Sequence, residues 1–115
     1  MRLSIAAVGR LKDGPERDLY ERYAGRIDAA GRSLSLGPLR LVVIPEGRAG
    51  SAVARQADEA GRLLARVDAS GFKVVLDAGG KAMSSEAFAH FIREQRDGGT
   101  PELAFLIGGP DGHGA

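Results

Sequence analysis

Cysteine is absent from this chain of 115 residues. That excludes disulfides, cysteine metal sites and thiol catalysis, and it suits a reducing cytoplasm. With no cysteine and only two histidines, a metal site is not expected. No apolar run approaches the roughly 20 residues that a membrane span needs. Residues 1–9 are mostly apolar but lead into Arg10-Leu11-Lys12-Asp13 with no small-residue cleavage site. They read as a first strand and not as a signal peptide, so the expected location is cytoplasmic. Several catalytic and phosphate motifs are also missing. A P-loop needs Ser or Thr after Gly80-Lys81 and a glycine five positions before Gly80, but Ala82 and Val75 stand there. No strand runs into a full Gly-x-Gly-x-x-Gly, and no serine sits in a Gly-x-Ser-x-Gly elbow.

The remaining composition is that of a globular protein, with 43% hydrophobic and 27% charged residues. The length fits one domain over residues 1–115. The net charge of +1 hides an asymmetry: residues 1–66 carry twelve Lys/Arg against eight Asp/Glu, and residues 67–115 carry four against seven. Arginine supplies most of the positive charge, and its planar fork suits phosphate. A basic half is a weak pointer to an anionic partner, and a solvated surface explains it as well.

Four apolar runs, 3–8, 39–44, 72–76 and 103–107, are rich in Val, Ile and Leu. Their continuous hydrophobicity predicts strands buried on both faces, as in a parallel sheet. Three helical patterns lie between them. The first opens at Gly14-Pro15-Glu16, with Leu19, Tyr20, Tyr23, Ala24 and Ile27 on one stripe. The second starts near Ser51, carries Val53, Ala57, Ala60, Leu64 and Val67 on its apolar stripe, and is closed by Gly71. The third begins at Ser84 or Ser85, buries Ala87, Phe88, Phe91 and Ile92, and ends at Gly98-Gly99. Residues 28–38 read as a helix end plus loop. The alternation of strand and helix predicts an α/β fold with a mainly parallel sheet and flanking helices. The chain stops just after the fourth strand, where this architecture calls for another helix, so a C-terminal truncation is expected.

Ligands of open α/β sheets collect at the carboxyl ends of the strands. Four loops meet there: Gly9-Arg10-Leu11-Lys12, Pro45-Glu46-Gly47-Arg48, Asp77-Ala78-Gly79-Gly80-Lys81 and Gly108-Gly109-Pro110-Asp111-Gly112. Their glycines let a backbone approach a ligand closely. Gly79-Gly80 reads first as a plain turn, and Gly108-Gly109 as either a turn or a ligand loop. Asp77 could orient a ligand or cap the turn that follows it. His90, inside the third helix, reads as a surface or core-edge residue, and His113 as part of a tail or facing a ligand. Tyr20 and Tyr23 could stack bases, but their helical spacing makes them core residues first.

These loops also carry a resemblance. Residues 2–9, Val43-Ile44-Pro45 with Glu46-Gly47-Arg48-Ala49-Gly50, and Val75-Leu76-Asp77-Ala78-Gly79-Gly80-Lys81 resemble, in order, segments of the RlmH family of SPOUT-class methyltransferases. The most specific segment is Phe105-Leu106-Ile107-Gly108-Gly109-Pro110-Asp111-Gly112, similar to the family's LIGGP-acid-G. The resemblance covers all 115 residues in motif order and departs from the family at His113-Gly114, where leucine-serine is commoner. It implies a SPOUT trefoil-knot fold lacking its C-terminal knot segment. The activity it implies is transfer of a methyl group from S-adenosylmethionine to N3 of a pseudouridine in 23S ribosomal RNA on the assembled 70S ribosome. It also implies a homodimer with each site built across the subunit interface. Leu76 and Gly108, with Gly109 beside it, match the family's cofactor contacts. The resemblance assigns no general base. Arg10, Lys12, Arg48 and Lys81 are the expected RNA contacts, because loops at this rim would face phosphates. The 115 residues alone are expected to be inactive and to expose apolar sheet surface. A non-catalytic RNA-binding or dimerisation module is the alternative, and a flavodoxin-like nucleotide-binding domain is disfavoured by the missing phosphate motifs.

Overall fold

A computed structural model describes residues 1–9, 13–48, 50–77 and 79–109. Arg10, Lys12, His113 and the rest of 110–115 therefore lie outside the described residues. The chain runs β1 (Arg2–Val8), α1 (Pro15–Gly31), a short 3-10 turn (Arg32–Leu34), β2 (Leu39–Ile44), α2 (Ala52–Leu64), β3 (Phe72–Leu76), α3 (Ser85–Asp97) and β4 (Glu102–Ile107). The four strands form one parallel sheet in the order β2-β1-β4-β3. Parallel neighbours need a crossover, and each connection carries a helix, as the alternation requires. Proline at the start of α1 forfeits no intrahelical bond. Ser51 and Ser84 cap α2 and α3, their hydroxyls accepting from the backbone N–H of Ala54 and Ala87.

The pleat sorts the strands into two faces. Ala6 and Val8 of β1, Val42 and Ile44 of β2, and Ala104 and Leu106 of β4 join Leu63 and Val67 in the core on the α2 side. The opposite face carries Ile5, Leu41, Val43, Phe105 and Ile107, flanked by α1 and α3. Phe91 of α3 meets Phe72 with ring centroids 5.4 Å apart, and Phe88 meets Phe105 at 5.8 Å.

The expectation of strands buried on both faces holds only in part: the α2 side is covered over β1, β2 and β4, and the other side only at its amino end, where Leu3 and Leu103 are buried. Leu41, Val43, Val75, Leu76 and Ile107 are all exposed. The gap between α1 and α3 leaves the second face open, and α2 does not reach β3. For the same reason the stripes of α1 and α3 are not core. Leu19, Tyr23, Ile27 and Phe88 are exposed, and no α3 residue is fully buried. Tyr23 instead lies under the Arg26 guanidinium, 5.5 Å from its ring centroid.

The stripe of α2 is rotated from the expected one. Glu59, Leu63 and Val67 are buried, at four-residue steps, whereas Val53 and Leu64 are exposed. The helix ends at Leu64 and not at Gly71. Gly71 serves the start of β3: a Cβ there would meet the Glu102 carbonyl oxygen at 2.8 Å. Residues 28–38 are a helix end plus loop, as read: α1 runs through Gly31 into the 3-10 turn, and residues 35–38 carry no helix or strand.

Candidate active site at the carboxyl rim of the sheet

The chain leaves β1 for the β2 edge and enters β4 from the β3 edge. Their helices therefore lie to either side of the β1–β4 pair and leave a gap over it; ligands of such sheets bind at the carboxyl end. Gly9 ends β1 there with φ at 92°, and its N–H donates to the Ile44 carbonyl at 2.8 Å. A side chain at Gly9 would be strained in this left-handed conformation. Gly108 and Gly109 follow β4 directly. A cleft of about 430 Å³ opens between these glycines, lined by Ile5, Ala7, Gly9, Tyr20, Gly108 and Gly109 among others. It meets a second, apolar groove of about 470 Å³ that runs along the open face between α1 and α3. Ile5 and Ile107 line both. Leu76 lines the groove and pairs in register with Ile107. The fold thus brings Leu76 to the flank of the Gly108-Gly109 cleft, with Ile107 between.

Tyr20 is the titratable aromatic of the cleft. Burial first, and the negative charge of Asp28 second, push its phenol above the ordinary 10.0. The hydroxyl is therefore neutral at physiological pH and available as a hydrogen-bond donor. Asp28 itself accepts from the Leu39 N–H at 2.8 Å, which holds the end of α1 to the start of β2.

Residues 1–115 match the family model described as "Predicted SPOUT methyltransferase". The chain belongs to the SPOUT methyltransferase family. The relatives of this SPOUT methyltransferase include proteins named ribosomal RNA large subunit methyltransferase H. That of Xanthobacter autotrophicus is 53% identical over 112 residues, covering 97% of this chain and 70% of the relative. That of Methylobacterium sp. is 47% identical, covering 97% and 69%. That of Brucella anthropi is 48% identical, covering 98% and 71%.

Of the expected RNA contacts of this SPOUT methyltransferase, the two among the described residues, Arg48 and Lys81, stand apart. Arg48 and Lys81 are exposed at the rim, one after β2 and the other after β3. Those strands are the two sheet edges, three inter-strand steps or roughly 14 Å apart. Asp77 is exposed, and its carbonyl accepts from the Gly80 N–H at 2.9 Å, which favours the turn reading of this segment. His90 is on the surface, its Nε2 2.8 Å from Glu94 Oε1. No group of three or more His, Cys, Asp or Glu that could hold a metal occurs among the described residues. Nor, among them, is any helix long and apolar enough to cross a membrane.

Sequence reasoning missed two residues of the rim, Glu59 and Arg62. Arg62 donates to the Pro45 carbonyl at 2.8 Å and pairs with Asp58 at 3.0 Å. Glu59 is buried and accepts from the Gly47 N–H at 2.8 Å. The four-residue spacing of Glu59, Leu63 and Val67 was the available signal, but a carboxylate on a helix reads as solvent-facing unless its partner is known.

Proposed function

We propose that this chain is an S-adenosylmethionine-dependent methyltransferase of large-subunit ribosomal RNA, acting on N3 of a pseudouridine in 23S RNA of the assembled 70S ribosome. In this reading residues 1–115 are one domain, and the protein works as a cytoplasmic homodimer. The observation that carries the proposal is the Gly108-Gly109 turn at the mouth of the rim cleft, in a chain that matches the SPOUT family throughout its length.

The residues present fit the methyl donor. An adenosine needs a slot of a few hundred Å³ with apolar walls and backbone groups at its edge. The cleft of about 430 Å³ has that size, and no side chain intervenes at Gly9, Gly108 or Gly109. Gly108 and Gly109 would hold the donor through the backbone, and Leu76, beyond Ile107, would supply an apolar wall where the cleft meets the groove. When bound, the donor supplies an activated methyl group on a sulfonium. The chain's task is then alignment and exclusion of water. Arg48, Lys81, Arg10 and Lys12 would take the RNA backbone, and phosphates held across the rim would present the base to the cleft.

Calorimetric titration of the full-length protein with S-adenosylmethionine tests the reading. Micromolar binding is the expected result. Absence of heat, with RNA binding retained, would replace it with a non-catalytic RNA-binding or dimerisation module.

A further inference from the structure

We propose that Glu59 is a positioning residue that ties the loop after β2 to the glycine turn after β4 and so keeps the methyl-donor cleft in shape. The inference rests on the reading of that cleft above. Glu59 is 3% exposed and lies midway along α2, one turn before the core residue Leu63, with its carboxylate at the loops of the rim. Oε2 accepts from the Gly47 N–H at 2.8 Å. Oε1 has no partner among the described residues. A buried acceptor without a donor is costly, and such groups persist where something other than packing retains them.

Gly109 is what lies beside that carboxylate. A Cβ built on Gly109 would stand 3.2 Å from Glu59 Oε1, 3.3 Å from Oε2 and 3.0 Å from Val8 Cγ1. The turn after β4 therefore rests directly on the Glu59 carboxylate, with no room for a side chain between. On the other side the β2 loop is pressed onto the same helix. A Cβ at Gly47 would meet Asp58 Oδ2 at 3.1 Å and the Arg55 backbone at 3.2 Å. Arg62, one turn further along α2, holds the Pro45 carbonyl. Glu46, between these two anchored residues, lines the cleft together with Val8 and Gly109. One carboxylate behind the cleft thus supports two of its walls, from β2 and from β4, while touching no ligand itself. Support of this kind decides whether a pocket is held in its working geometry.

The test compares Glu59→Ala and Glu59→Gln in the full-length protein by amide hydrogen exchange and by S-adenosylmethionine titration. The glutamine keeps an acceptor for the Gly47 N–H, so it should preserve Gly47 protection and donor affinity within about threefold. The alanine should lose protection at both Gly47 and Gly109, leave the β1 amides protected, and weaken donor binding by about tenfold or more. Unchanged Gly109 protection in the alanine variant would overturn the proposal. So would a loss spread evenly over the sheet, since that is what a stability role alone produces. If the wild type binds no donor, the reading of the cleft fails, and the exchange data still decide whether Glu59 couples the two loops.

Discussion

Leu76, the last residue of β3, pairs in register with Ile107, the last residue of β4. Both are exposed on the open face, Leu76 at 48%, whereas Leu106, one residue back along β4, is buried against α2 at 5%. The pleat therefore separates two kinds of leucine at one rim. Leu106→Ala should destabilise the fold by about 2–5 kcal/mol. Leu76→Ala should cost less than about 1 kcal/mol and act instead on methyl-donor affinity, by severalfold. Urea unfolding and calorimetric titration of both variants separate the two effects. A Leu76→Ala variant that binds the donor as wild type removes this residue from the proposed site.

Glycine substitutions should divide by local geometry. At Gly31 a Cβ would come within 2.4 Å of the Leu36 carbonyl oxygen, a backbone atom that cannot swing aside. Gly31→Ala should lower stability by more than about 2 kcal/mol. Gly61 lies inside α2, and nothing stands within 4 Å of its Cβ position. Gly61→Ala should stabilise by about 0.5–1 kcal/mol, because alanine loses less backbone entropy in a helix. Thermal unfolding should therefore move in opposite directions for the two variants.

Asp68 gives stability a pH dependence at the amino end of the sheet. Its Oδ1 accepts from the Ser70 hydroxyl at 2.7 Å and the Ser70 N–H at 2.9 Å, and its Oδ2 from Arg2 at 2.6 Å. Those bonds, the Ser70 hydroxyl first, hold the carboxyl below its ordinary 3.8. A carboxyl lowered in the folded state contributes stability above its unfolded value, and that contribution is lost as pH falls through the folded one. The wild type should therefore lose stability below about pH 4 more steeply than Asp68→Asn. Parallel acid-unfolding curves for the two proteins would refute this assignment.

Arg48 and Lys81 should act on RNA by charge. If each neutralises one phosphate, Arg48→Ala and Lys81→Ala should each reduce the slope of log affinity against log salt by about 0.7–0.9. Their separation across the rim makes the effects additive. Filter binding at several salt concentrations measures the slope, and an unchanged slope in the double variant would show that these cations do not contact phosphate.

The bounds of β2 and β3 and the serine cap of α3 were legible because their causes are local. A run of β-branched residues, a hydroxyl next to the first helical turn and a glycine pair after the last act within a dozen residues of chain. The alternation of these elements in turn requires a parallel sheet. The rim glycines were legible for a similar reason, since they follow directly on apolar runs.

Local pattern determined the elements and their order along the chain, but only tertiary structure decided which strands are neighbours and which faces are covered. Leu3 lies beside Leu103 and Leu39, partners distant in sequence. No periodicity reports that α2 crosses one face while α1 and α3 part over the other. Glu59 shows the consequence most sharply. Its burial depends on an N–H from Gly47 and on the absence of a side chain at Gly109, and both conditions exist only once β2, α2 and β4 have been brought together.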